Sequence, residues 1–401
     1  MTADRSGPRP DVAIIGGGIV GVAAAAFLAE AGATVRLYER SSIAAGASGR
    51  NSGVVQHPFD PILAGLYRGS LDEYRTLAGL DAGFEIDDEP AGLMLVGHDG
   101  DLVRRVAGDW AAAWPESRPE VLIRGELRAI EPALAPDLAA CRLAIGYTVA
   151  PAAATQAFAT LARRRGVEVI IGEARLVVTD GRVVGVTVGD DRRTQTAASV
   201  LVAAGPWTSE IIDRSRSWQP IRAIWGVVAA IELVDAPGHV LEAAEIEIEP
   251  GSGDGTAAGE PAEPAAPSEA GVDFSLVTAR GSSSLGSTFL PFEPEPAAWL
   301  PAIRRVGARY VPGVADAPLL ALRHCARPFS TDGRPFVGAV SGIEGLWVAA
   351  GHGPWGISTG PGSARLVVDL ILGRIDGSAI PAALDPNRFG PVQRQDSGSN
   401  R

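Results

Sequence analysis

The sequence predicts an α/β fold, because the same strand, glycine turn and helix arrangement occurs at both ends of the chain. At the N-terminus, residues 11–15 form a β-branched run suited to a buried parallel strand. Gly16, Gly18 and Gly21 follow in the order G-x-G-x-x-G, and residues 19–31, starting with Ile19 and Val20, read as an Ala-rich helix. A second strand is expected over 34–38, ending in Glu39 and Arg40. Near the C-terminus an apolar strand over 346–350 enters the turn Gly351, His352, Gly353, Pro354, Trp355, Gly356, Ile357 and then another helix.

Each part of the first unit has a physical reason. Gly16 turns tightly, Gly18 admits backbone to a pyrophosphate, and Gly21 lets helix and strand pack closely. The helix start supplies unpaired N–H groups and partial positive charge. Glu39 lies 18 residues after Gly21, close to the ~20 expected of an acid that grips a ribose hydroxyl. Together these features predict a Rossmann-like dinucleotide site. Residues 12–35 do not read as a membrane span, since five glycines and Glu30 interrupt them.

Between these ends, residues 41–58 are small and polar, as in a loop passing a ligand. Helices are expected over 63–77, 152–165 and 297–310, with helical and turn pieces over 101–140. Strands are expected over 90–96, 167–171, 199–204, 220–233, 274–278 and 287–290. Residues 172–188 read as a hairpin turning at Asp180-Gly181. The 199–204 strand runs into Gly205-Pro206-Trp207. Residues 249–271 collapse to Gly, Ala, Pro, Glu and Ser and read as a flexible insertion; residues from 386 onward read as a polar tail.

A chain of 401 residues implies two or three domains, and 46% hydrophobic with 20% charged residues implies a soluble globular protein. A net charge of −12 argues against nucleic acid or anionic membrane as partner. No apolar leader precedes residue 11, so a cytoplasmic setting is expected. Cys141 and Cys325 form neither a disulfide framework nor a clustered metal site. All 35 basic residues are arginine, which excludes any mechanism needing a lysine amine.

Four stretches carry a resemblance: ERSSIAAGASGRNSG at 39–53, VLVAAGPWT at 200–208, CARPFSTDGRPFVG at 325–338 and GLWVAAGHGPWGISTGPGSA at 345–364. With the N-terminal glycines they resemble the D-amino-acid oxidase family of FAD-dependent oxidoreductases, which includes glycine oxidase, sarcosine oxidase and D-amino-acid dehydrogenases. The resemblance implies a glutathione-reductase-type FAD-binding domain from 1–85, 145–215 and 322–388. It implies a substrate domain, a large mixed sheet with helices, from 86–144 and 216–321, followed by a tail over 389–401. FAD would contact Gly16, Gly18, Ile19, Val20, Gly21, Glu39, Arg40, Gly46, Ala47, Ser48, Asn51, Ser52, Gly53, Gly205 and Trp207, and the 351–357 turn.

Oxidising an amine by hydride transfer needs the substrate carbon held against the flavin, so positioning outweighs acid–base work and can contribute ~7–11 kcal/mol. Arg327 matches the arginine that grips the substrate carboxylate in this family; an ion pair with Asp332 is the competing structural role. Arg50 and Arg222 are candidates for a second cation. His352 matches a histidine beside the flavin, either acting on flavin or substrate or only packing in its turn. His57 is a further candidate facing the substrate side. Cys325 falls where some sarcosine oxidases link the flavin covalently, but the sequence after it resembles the noncovalent branch.

The resemblance thus implies FAD-dependent oxidation of the C–N bond of a small amino acid or amine. The electron acceptor is dioxygen or a quinone or protein, and the missing lysine makes the latter pair more credible. A 2-hydroxy-acid dehydrogenase, or the flavin subunit of a multi-chain dehydrogenase with a partner chain, are the alternatives.

Overall fold

The computed structural model describes residues 11–244 and 267–390. A six-stranded sheet runs in the order Phe336–Ala339, Leu346–Ala350, Ser199–Val202, Val12–Ile15, Val35–Glu39, Glu168–Ile171. Its pairs are parallel except at Phe336–Ala339, which runs antiparallel on one edge. A parallel sheet is covered on both faces, which is why Val12–Ile15 is apolar at all four positions and wholly buried. The helix Ile19–Glu30 is buried from Ile19 to Leu28, so it has no polar face. Its alanines let it pack tightly against the helices Ala153–Arg164 and Gly356–Ile371.

A second, eight-stranded sheet runs Leu319–Ser330, Ile221–Ile231, Ser282–Thr288, Val272–Ala279, Val240–Ala243, Leu93–Gly97, Ala139–Leu143, Glu120–Ile123. It is antiparallel except where Val240–Ala243 runs beside Leu93–Gly97. One face packs on the helix Pro296–Tyr310, with Val227, Ala229, Phe274 and Leu285 against Trp299, Ile303 and Val306. Alternation along each strand therefore turns intervening residues such as Val228, Asp273 and Ser275 toward the opposite face, where they line a cavity that also reaches Phe274, Val306 and Tyr310.

The expected hairpin forms, with Asp180 (φ +48°) and Gly181 (φ +73°) at its turn. A third strand, Asp191–Thr196, extends it. The sequence DRRTQT hides that strand, because it lacks apolar alternation. The expected boundary between residues 321 and 322 falls inside the continuous strand Leu319–Ser330.

Two expectations need correction. Residues 386–390 are not a free tail: the Arg388 guanidinium forms a two-point pair with Asp332, both contacts 2.8 Å, and stacks on Phe336. Asn387 accepts the Ser341 N–H at 2.8 Å. Packing against a partner 56 residues away cannot be read from local composition. The expected insertion lies outside the described residues over 249–266, but its end is ordered: Glu269, in the turn Glu269–Gly271, pairs with Arg305 and Arg309. Among the described residues no helix is long and apolar enough to cross a membrane.

The helix Gly356–Ile371 is held in front of the N-terminal helix by close glycine contacts. A Cβ at Gly362 would meet the Leu66 carbonyl oxygen at 2.2 Å, and one at Gly360 would meet the Ile19 side chain at 3.0 Å. Pro361 lies inside this helix and has no N–H to give to the Ile357 carbonyl four residues earlier. The Tyr74 hydroxyl, from the helix Pro61–Ala78, donates to that carbonyl at 2.6 Å. Tyr74→Phe should therefore destabilise the fold by ~1–3 kcal/mol, read by urea unfolding. An unchanged midpoint would show that the carbonyl finds another donor.

Candidate functional site

The first strand ends at Gly16, whose φ of +118° and close approach to Ala203, with a Cβ 2.3 Å from its carbonyl oxygen, admit only glycine. A Cβ at Gly21 would lie 2.0 Å from the Gly16 oxygen, so this glycine seats the helix on the turn. Gly18 starts the helix without a side-chain cap. The Ser48 hydroxyl accepts the Ile19 N–H at 3.0 Å, leaving Val20 and Gly21 among the first-turn N–H groups that no intrahelical carbonyl can reach. Glu39 accepts the Gly17 N–H at 2.7 Å and the Ser41 N–H at 3.0 Å. These are the parts a dinucleotide pyrophosphate and ribose require, on a cradle that side chains would fill.

The 46–54 segment is ordered by its own polar groups. Gly46 precedes a helical turn, Ala47–Arg50. The Asn51 side chain donates to the Ser48 carbonyl at 3.0 Å and accepts the Gly53 N–H at 2.8 Å. Gly53 needs its φ of +89° and could carry no side chain against the Val149 carbonyl, 2.5 Å from an ideal Cβ.

A cavity of about 960 Å³ lies between these segments and the eight-stranded sheet. From the sequence-predicted set it brings together Gly18, Ile19, Val20, Ala47, Ser48, Arg50, Asn51, Ser52, Gly205, His352, Gly353, Pro354, Trp355, Gly356, Ile357, Cys325 and Arg327. Gly16, Gly21, Glu39, Arg40, Gly46, Gly53, Trp207 and Gly351 are not in its wall. Arg40 instead stacks over Trp207 at 3.6 Å.

Arg327 stands on the strand Leu319–Ser330, half-buried and opening on the cavity. A Cβ at Gly226 on the next strand would come within 2.3 Å of its Nη2, so that glycine makes room for the guanidinium. Nη1 donates to the Thr288 carbonyl at 2.8 Å, Nη2 to the Ser287 hydroxyl at 3.1 Å, and the group stacks on Phe289 at 4.3 Å. Among the described residues no carboxylate lies within ion-pair distance of it. Asp332, the alternative partner, is taken by Arg388. Burial pulls the Arg327 pKa down, yet a guanidinium remains charged.

The other candidates separate. Arg50 donates to the His324 carbonyl at 3.0 Å, pinning its helical turn to the Arg327 strand. Arg222 is exposed and outside the cavity wall. His352 is 3% exposed, with Nε2 3.0 Å from the Ser363 hydroxyl, and burial lowers its pKa to about 4. It is a neutral ring at neutrality. His57 is also lowered to about 4 by burial, and it packs against Phe59, Tyr67 and Trp114 outside the cavity wall. Its Nδ1 accepts the N–H of Phe59, which adopts φ +56° and turns into the wall. The Cys325 thiol is 6% exposed and burial raises its pKa, so it is not a ready nucleophile.

Sequence reasoning missed several wall residues: Gln56, Phe59, Glu242, Asp273, Ser287 and Phe289. The available signal was Glu242, an acid inside the short apolar run VLEA.

The model of the FAD-dependent oxidoreductase (DAO) family matches residues 11–370. Glycine oxidase of Pseudomonas aeruginosa is 26% identical over 407 residues, covering 96% of this chain and 99% of that protein. Glycine oxidase from Bacillus cereus superposes with a TM-score of 0.75 at 24% identity, covering 97% of this chain and 100% of that one. Iminodiacetate oxidase from Chelativorans gives 0.76 at 21%, covering 96% and 100%. The chain belongs to the D-amino-acid oxidase family of FAD-dependent oxidoreductases.

His57 and His352 generate a pH prediction. Unfolded, each ring takes a proton near pH 6.5; folded, each does so only near pH 4. Protonation between those values favours the unfolded chain, so stability should fall as pH drops from about 6.5 toward 4, by up to about 3 kcal/mol per ring. Urea unfolding across that window in wild type and His57→Phe should show a shallower decline in the variant; identical slopes would contradict the shift at His57.

Proposed function

We propose that this protein oxidises the C–N bond of a small carboxylate-bearing amine or amino acid. FAD, when bound, supplies the hydride acceptor. The observation that carries the reading is Arg327: a guanidinium held by neutral partners, open to the cavity, with no carboxylate in ion-pair distance among the described residues. A desolvated cation of this kind is stabilised by an incoming anion, and the guanidinium fork suits a carboxylate. The glycine oxidases and iminodiacetate oxidase among its relatives are named for small carboxylate-bearing amines, which supports the same class.

The chain's own groups then have definite tasks. Gly18, Ile19, Val20 and Gly21 would hold the FAD pyrophosphate and Glu39 the ribose, while 46–53 and 353–357 would flank the ring system. Arg327 fixes the substrate by its carboxylate, so the reacting carbon keeps one orientation. Phe59, Phe289, Phe329 and Trp355 wall the cavity with rings and exclude water. His352, neutral and held by Ser363, adds a polar surface without adding charge. With no lysine to assist reaction with dioxygen, a quinone or protein is the favoured electron acceptor, and a cytoplasmic setting suits the two unpaired cysteines.

Arg327→Met should raise KM for a carboxylate substrate by roughly a hundredfold or more, with the flavin spectrum retained. Steady-state assays with an artificial dye acceptor read this, and an unchanged KM would remove the assignment.

A further inference from the structure

Two carboxylates in the cavity wall are not used by the reaction described above. Glu242, on the strand Val240–Ala243, and Asp273, on the neighbouring strand Val272–Ala279, both line the cavity. Among the described residues neither has a basic side chain within ion-pair distance, but Asp273, on the strand beside Ser287, feels the Arg327 charge and belongs to that side of the cavity, which leaves Glu242 as the acid away from it. Glu242 has one polar partner of note: the Gln56 amide nitrogen donates to its two oxygens at 3.3 and 3.2 Å. That contact orients the Gln56 amide, because a carboxylate is met by the N–H₂ end, and so it assigns the carbonyl end.

The carbonyl end is the second observation. Gln56 is 3% exposed and lines the cavity, and among the described residues its buried Oε1 has no hydrogen-bond partner. A buried acceptor left unpaired carries a free-energy cost that a donor would remove. Gln56 is itself fixed from behind, its N–H donating to the Ser358 hydroxyl at 2.9 Å. One end of the cavity thus collects acceptors that ask for N–H groups and positive charge. The other end, at Arg327, asks for an anion.

The separation of these ends defines what can bridge them. The Arg327 guanidinium reaches Ser287 on the strand Ser282–Thr288. Glu242 stands two strands further across the sheet, about 10 Å at the usual inter-strand spacing. An α-ammonium, one carbon from its carboxylate, does not cover that span, whereas a lysine-like four-carbon stem carries the nitrogen most of the way. Burial, the largest effect, raises the Glu242 carboxyl to about 7, the Gln56 hydrogen bond opposes this and the nearby Asp273 charge adds to it, as expected for an acidic end lacking its cation.

We propose that Glu242 and Gln56 select a dipolar substrate whose cationic nitrogen lies several bonds from its carboxylate, as in a basic amino acid or an ω-amino acid. This rests on the reading of Arg327 as the carboxylate anchor and adds the substrate class.

The test compares molecules that differ only at the distal end. By calorimetry, flavin-loaded protein should bind 5-aminopentanoate at least about tenfold tighter than pentanoate. Anaerobic flavin bleaching should favour lysine over norleucine by a similar factor, with both enantiomers of each assayed. In Glu242→Gln both preferences should shrink toward unity; retained flavin absorbance confirms that the variant folds. Equal binding of the two acids in wild type, or preferences that survive Glu242→Gln, overturns the inference. Bleaching by neutral amino acids alone overturns only this inference, whereas bleaching by no amine at all overturns the amine-oxidation reading and this one with it.

Discussion

A half-buried guanidinium held by neutral partners is the constraint on which the cavity depends. Arg327 could have been neutralised by Asp332, five residues away on the same segment, but that carboxylate is engaged at two points by Arg388. Gly226 clears the space, Ser287 and the Thr288 carbonyl occupy part of the fork, and Phe289 covers one face. The charge is therefore held by neutral partners, with no carboxylate in ion-pair distance among the described residues. A desolvated cation without a close counter-ion is costly, and the carboxylate proposed above would offset that cost.

The rest of the fold brings that charge to the dinucleotide site. Close glycine contacts at Gly16, Gly21, Gly360 and Gly362 set the N-terminal helix and the helix Gly356–Ile371 against each other and against the Pro61–Ala78 helix. The pair between buried Asp60 and half-buried Arg334, 2.8 Å apart, joins the start of the Pro61–Ala78 helix to the segment after Arg327. Glu242 carries a similar cost. Its carboxyl titrates near 7 when folded and near 4.5 when unfolded, so stability is lost as pH rises through that window, by up to about 3 kcal/mol. A cation beside it would lower its pKa and recover that loss.

Much of the fold was legible because its signals are local. The β-branched run before Gly16, the spacing to Glu39, the Ala-rich helix and the repeated strand–glycine–helix unit each follow from backbone geometry, and they led to the correct sheet and cofactor family. The strand Asp191–Thr196 was not legible, since a polar sequence there is held by pairing rather than burial. Nor was the order of residues 386–390, which depends on Asp332 and Phe336. In the site, the motif around Arg327 pointed to a residue that lines the cavity. Gln56, Glu242 and Asp273 were not, because what marks them is a shared cavity wall built from segments far apart in the chain. His57, prominent in sequence, is a packing ring that shapes Phe59.

The central claim is that an unpaired cation beside the flavin awaits a carboxylate. It is tested most directly by titrating oxidised holoprotein with benzoate and with benzamide, isosteric but uncharged, while recording the visible flavin spectrum. A saturable spectral change with benzoate and none with benzamide at the same concentrations is expected. Equal responses, or no response to benzoate, would contradict it.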